Sequence, residues 1–257
     1  MVDFIVNNGP FIKDKNNIQK ILLTNLFLLI PFIIYKFYIA GINSIIIFIL
    51  SIISILGTSI IFDYIKYKNI NINKYYKDIT FSIIITIILP CNTSYIVLLL
   101  VNIIVTTLSK FYDIINIYII SSFLICLFTK FTNNNLIYNN YNIYIYSLLL
   151  FISLIVLVIN RSVKFRICIS YILFVIIKLL FNQSISEIDY ILLFMSIYVI
   201  PEFKSTPNTA FIQIIFGITI GILTIFLNIE YIFLSIIILN VVFKYIDINY
   251  SYFLAKY

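Results

Sequence analysis

The residues able to do chemistry in this chain gather around two interrupted apolar runs. The stretch "PEFKSTPNTA", Pro201 to Ala210, sets Glu202, Ser205, Thr206 and Thr209 between long runs of Ile, Leu and Phe. A carboxylate in such a place can accept or relay a cation, because an acid at membrane depth is costly unless partnered. Lys204, two residues on, offers the plainer reading, simple neutralisation. Ser205, Thr206 and Thr209 can cap the run that follows, and the free amides of its first turn favour an anionic or electron-rich group. A tight loop that merely ends one helix and caps the next is the bland alternative, and the residues leave both open.

Two amides, Asn102 and Gln213, stand inside otherwise apolar runs. A single amide of this kind commonly glues neighbouring helices, worth on the order of 0.6 to 2 kcal/mol. The two occupy matched positions, which raises the prospect of a shared site at the membrane midplane. Asp63 closes the second apolar run beside Lys66 and Lys68 and reads first as an interfacial charge, second as an ion ligand. Lys178 is expected to snorkel to the surface. Gly217 and Gly221 have the four-residue spacing that lets helices approach closely, and packing is the favoured reading. No nucleotide-binding loop, catalytic triad or cysteine cluster is present, Cys91, Cys126 and Cys168 are scattered, and there is no His to ligate haem or metal.

These residues must be positioned by membrane helices. The 257 residues are 63% hydrophobic and only 11% charged, less than half the charged share of a soluble domain. Runs such as Ser44 to Phe62 reach the length of one helical crossing and show no barrel-type alternation. The opening "MVDFIVNNGPFIKDKNNIQK" has no basic region ahead of an apolar core and no myristoylation glycine, so neither cleavage nor lipidation is expected.

Hydropathy predicts ten helices, at about 20–38, 42–62, 79–89, 94–109, 114–129, 142–160, 165–181, 188–200, 208–226 and 231–246. If all cross, one face collects fourteen of the 17 basic residues and the other only Lys36, Lys130 and Lys178. The positive-inside rule then puts both termini in the cytoplasm. Treating the two shortest segments as re-entrant weakens that bias to twelve against five. The formal charge of +7 is thus an orientation signal rather than a nucleic-acid footprint. The basic loop from Lys66 to Lys77 serves that signal and can also meet anionic lipid or cytoplasmic subunits.

The two short segments each begin after an acid and end at a proline: Asp78 to Pro90, and Asp189 to Pro201. Both pairs are offset by 111 residues, and the same offset lays Ser94 on Ser205 and Asn102 on Gln213. This predicts an all-α integral membrane protein of about ten crossings in two inverted five-helix repeats, with helices 3 and 8 short or broken at Pro90 and Pro201. Residues 1–130 form the first repeat, the Asn-rich 131–141 an outer linker, and 142–257 the second.

Three stretches then carry a resemblance. "NGPFIKDKNNIQKILLTNLFLLIP" (Asn8 to Pro31), "DITFSIIITIILP" (Asp78 to Pro90) and "PEFKSTPNTAFIQIIFGITIGILTIF" (Pro201 to Phe226) resemble segments of the RnfD/NqrB family, the related membrane proteins of the Rnf electron-transport complex and the sodium-translocating NADH:quinone reductase. In the third, Glu202 falls where that family has an acid, Ser205, Thr206 and Pro207 where it has Thr-Ser-Pro, and Gly217 and Gly221 where its helix carries glycines. The family's Ser-Gly-Ala-Thr motif for covalent flavin is absent. The nearest strings, Leu56 to Ser59 and Phe216 to Thr219, fall within predicted helices. The family's Gly-rich region after the fourth helix is missing too, so the chain looks like a shortened, divergent relative.

The resemblance implies a multi-pass subunit of the bacterial cytoplasmic (inner) membrane. It would sit in the lipid bilayer with other membrane and peripheral subunits of a redox complex and couple electron transfer to Na+ or H+ movement. Any FMN or riboflavin would be held non-covalently, and the subunit would not be catalytic alone. The alternative is a stand-alone small-solute permease or channel, for a flavin among other candidates, since inverted repeats around broken helices are above all a transporter design.

Overall fold

The computed structural model describes residues 15–68, 75–111, 117–132, 142–160, 162–182, 187–202 and 205–256. The opening residues 1–14, most of the Asn-rich linker, part of the 66–77 loop and Lys204 lie outside the described residues. Those described form ten helices and no strand: α1 (Lys15–Ala40), α2 (Ile42–Tyr67), α3 (Tyr76–Ile88), α4 (Tyr95–Phe111), α5 (Ile117–Thr132), α6 (Ile143–Ile159), α7 (Phe165–Asn182), α8 (Glu187–Tyr198), α9 (Ala210–Phe226) and α10 (Ile229–Lys256).

Each expected segment is a helix, with the largest differences at the two ends. The first begins near Lys15 and runs through Pro31. A proline is tolerated inside a helix of this kind when neighbouring helices re-satisfy the freed carbonyl. The last continues to Lys256, 28 residues or about 42 Å, enough to pass the hydrocarbon and its headgroup zones. Hydropathy follows only the apolar part of each. By length and composition, Lys20–Ala40, Ile42–Lys66 and Ile229–Tyr250 are long and apolar enough to cross a membrane. Large apolar side chains such as Phe27, Ile53, Ile96, Phe151 and Phe226 project outward, as the outer surface of a bundle in lipid requires.

The two short helices lie inside. Every residue of α3 from Thr80 to Ile88 is buried, and so is nearly all of α8 from Asp189 onward. At 13 and 12 residues they are about 20 and 18 Å long. Four of the six pairings among the first five helices recur in the last five. Helix α3 packs on α1 and α2 as α8 does on α6 and α7; α4 packs on α2 and α5 as α9 does on α7 and α10. Across the halves α1 meets α6, α3 meets α8 and α5 meets α10.

Aromatic rings hold one of these seams. Phe32 of α1 meets Tyr146 of α6 and Phe194 and Tyr198 of α8 edge-on, with ring centroids 5.5, 5.5 and 5.8 Å apart. Such edge-to-face pairs add to the burial of the rings themselves. Gly217 and Gly221 do what their spacing suggests. A Cβ on Gly217 would lie 1.9 Å from Ser170 Oγ, and one on Gly221 would lie 2.6 Å from Phe174 Cβ. The two glycines therefore seat α9 directly on α7.

Candidate functional site

The chain breaks twice inside the bundle. The first break follows α3: Leu89 turns extended and Pro90 is buried, and α4 starts at Tyr95. Proline cannot continue the ladder, so the last carbonyls of α3 need partners from elsewhere. Lys36 of α1, 2% exposed, supplies them: its ammonium donates to Ile87 O at 3.0 Å and Leu89 O at 2.6 Å. A cation at a helix C-terminus is also favoured by the helix dipole.

The second break, from Val199 to Thr209, is longer and more polar. Pro201, Ser205, Thr206 and Pro207 are buried, and Glu202 is half-buried. Ser205 Oγ donates to Glu202 Oε2 at 3.2 Å, and the Thr206 hydroxyl donates to the Glu202 carbonyl. From the corner between α6 and α7, Lys164 reaches into this loop. Its ammonium meets Thr206 O at 2.9 Å, Thr206 Oγ1 at 2.9 Å, Pro207 O at 3.1 Å and Asn208 Oδ1 at 3.0 Å. Burial pulls this lysine down to about 7, helped by repulsion from Lys244, while Asp247 and Glu202 act to keep it charged. On the far side of the loop, Gln213 Nε2 donates to Pro207 O at 3.2 Å and Asn208 O at 2.9 Å.

Capping of α9 differs from the expectation. Thr209 is the N-cap residue, yet its side chain makes no capping bond to its own helix. Asp247 of α10 does that work instead. Its carboxylate accepts from Asn208 N at 2.8 Å, Thr209 N at 3.0 Å and Thr209 Oγ1 at 2.6 Å. A carboxylate accepts charge-assisted bonds and meets the positive end of the helix dipole, so it displaces the weaker hydroxyl cap. Ser205, Thr206 and Thr209 are all turned to partners within the protein. A flavin phosphate at the start of α9 would meet the Asp247 carboxylate, so these three residues, as folded, do not fit that group.

The other candidate residues lie apart from this loop. Asn102 of α4 donates to Ser54 Oγ of α2 at 3.2 Å, and its Oδ1 is buried without a hydrogen-bond partner among the described residues. Gln213 is bound to its own loop, so the two amides have separate partners rather than a shared one. Asp63 pairs with Lys110 of α4 at 3.4 Å, not with Lys66 or Lys68; Lys66 instead lies over the Phe62 ring at 5.7 Å. Lys178 does not snorkel away. It pairs at 3.0 Å with Asp189, 1% exposed, because a carboxylate buried at the start of α8 needs a counter-charge more than the lysine needs water.

Lys36, Lys164 and Asp247 were absent from the sequence-based candidates. One signal in the sequence points to the first of them: a charge standing alone among apolar residues, as Lys36 does in "IPFIIYKFYIA", whereas Asp247 follows Lys244 by three residues and reads as half of a local charge pair. Lys164 is obscured by Arg161 and Arg166, which make its loop look like another orientation signal.

The model of the NQR2, RnfD, RnfE family matches residues 5–112, which run through α4, so this first part of the chain is similar to that family. No curated protein matches the chain. Asn8 to Pro31 and Asp78 to Pro90, two of the three stretches that carry the resemblance, fall inside the match; Pro201 to Phe226 falls beyond it. The described residues are all-helical and rich in apolar helices, as an integral membrane protein requires.

Proposed function

We propose that this chain, similar over residues 5–112 to the NQR2, RnfD, RnfE family, is a subunit of an Rnf-like or sodium-pumping NADH:quinone reductase-like complex, and that it couples electron transfer to Na+ or H+ movement. The observation that carries the reading is the second break. Among the described residues it brings a carboxylate, three hydroxyls and an amide to one loop inside an apolar bundle, with a lysine and an aspartate delivered from two other elements. Ionisable groups inside a membrane bundle are rare, pair with one another or with backbone carbonyls, and mark ion and substrate pathways. Glu202 is the cation-accepting group of the proposed path and Gln213 lies beside it; Asn102 and Asp63 belong to its continuation through the first half. Electrons are carried by non-covalent FMN or riboflavin outside the Ser205, Thr206 and Thr209 cluster, or by partner subunits.

The recurring helix pairings support two five-helix repeats, and inverted insertion follows from an odd number of crossings in each. On that topology the three outer lysines are Lys36, Lys130 and Lys178, and each has an inward partner. Lys130 pairs with Glu230 at 3.0 Å, while Lys36 and Lys178 are bound as described above. With only these three of the 17 basic residues on the outer face, the count of Lys and Arg favours cytoplasmic termini in a bacterial inner membrane. The same repeat pattern favours a second reading, a permease for a small solute.

Mild-detergent purification from native membranes separates the two. The redox reading expects other membrane subunits to accompany the chain, with flavin fluorescence after acid extraction and none from the chain on a denaturing gel. A lone, flavin-free chain that passes solute into liposomes would replace it with the permease.

A further inference from the structure

We propose that the oxygen cage around Lys164 is a binding site for a monovalent alkali cation, and that the Lys164 ammonium is its built-in competitor. Thr206 O, Thr206 Oγ1, Pro207 O and Asn208 Oδ1 converge on one point at 2.9 to 3.1 Å. An ammonium has three protons to give, so four acceptors are one more than it can serve with straight bonds. Carbonyl, hydroxyl and amide oxygens arranged about a point are the usual surroundings of a hard cation that has shed water.

The cage and its occupant belong to different elements. All four oxygens come from residues 206–208 of the second break, whereas the ammonium enters from the corner before α7. The lysine can therefore leave with the cage intact. Gln213 is a positioning residue here, because its Nε2 holds Pro207 O and Asn208 O from outside the cage. Asp247 fixes the Asn208 and Thr209 amides and leaves one negative charge nearby.

Charge selects the ligand class. Exchanging an ammonium for Na+ or K+ conserves the local charge, whereas a divalent ion would add one uncompensated positive charge. Among the described residues no three Asp, Glu, Cys or His side chains gather as a divalent site would ask. Lys36 at the first break meets two carbonyl oxygens only, so among the described residues no comparable cage forms there. The inference rests on the proposed ion-coupling role for its biological meaning and names the place where that ion would pause.

The test follows thermal unfolding of the purified full chain in 300 mM NaCl, KCl or N-methylglucamine chloride, with MgCl2 at matched ionic strength. The wild-type chain is expected to be indifferent to the cation. Lys164→Met should unfold about 3 to 6 °C higher in NaCl or KCl than in the organic salt, as expected near tenfold saturation of one site. Adding Thr206→Val and Asn208→Leu should abolish that rise. A folded Lys164→Met chain that responds to no alkali cation, or that responds only to magnesium, overturns the proposal. Should Lys164→Met aggregate, Lys164→Gln takes its place; recovery of either variant only in alkali salt supports the cage, and aggregation of both in every salt overturns it. Co-purification and flavin content of the wild-type complex do not depend on this outcome, so the cage and the redox role fail separately.

Discussion

The two breaks solve one problem in different ways. After α3 the carbonyls of Ile87 and Leu89 are answered by one lysine from α1, and Pro90 is buried. Between α8 and α9, a lysine, an aspartate, a glutamate and a glutamine all turn on a loop of hydroxyls and carbonyls. The helices that follow the breaks are also seated differently. Helix α4 rests on α2 through Asn102 to Ser54 and a 2.7 Å contact between Thr106 and Thr58, whereas α9 rests on α7 through Gly217 and Gly221. In the first half polar groups bind helix to helix and the break is simple. In the second, glycines do the packing and the polar groups are concentrated at the break. One architecture can thus hold a structural stop and a polar site at corresponding places.

The contrast can be broken most forcefully at Asp247. Asp247→Ala strips the acceptor from two amides and a hydroxyl and removes one of the two carboxylates that help keep Lys164 charged. A loss of about 3–5 kcal/mol is expected, read as a lowered unfolding midpoint in detergent. Packing comes next. Gly217→Val would drive side-chain atoms into Ser170 and the Ile167 carbonyl, and about 1–3 kcal/mol should be lost without change in cation response. Lys36→Met removes two hydrogen bonds but also a buried charge, so the expected loss is smaller, about 1–2 kcal/mol. A loss larger than that of Asp247→Ala would erase the distinction between the breaks. The least effect belongs to Asn102→Leu. It gives up one 3.2 Å bond and a buried oxygen that has no partner among the described residues, and a change of less than about 0.6 kcal/mol is expected.

Hydropathy made the fold largely legible because lipid imposes one requirement on every spanning segment, and ten apolar runs became ten helices. The acid-to-proline pattern also marked α3 and α8 as the short pair, and the structure buries both. What stayed hidden was partner choice. Asp63 stands near Lys66 and Lys68 along the chain, yet it closes on Lys110, 47 residues away, because the ends of α2 and α4 come together in the fold. Lys178 was expected to reach water, and only the packing of α7 on α8 reveals Asp189 as its counter-charge. The cap of α9 was sought in the nearest hydroxyls, whereas the carboxylate arrives from α10, a contact with no local trace in sequence.

The most direct test of the account is ion uptake driven by electron transfer in inverted membrane vesicles carrying the whole complex, followed with radioactive sodium and a pH-sensitive dye. Asn208→Leu at the second break is expected to abolish the uptake while Lys36→Met at the first leaves most of it. Equal uptake by both variants, or a defect confined to Lys36→Met, would contradict the assignment of the ion path to the second break.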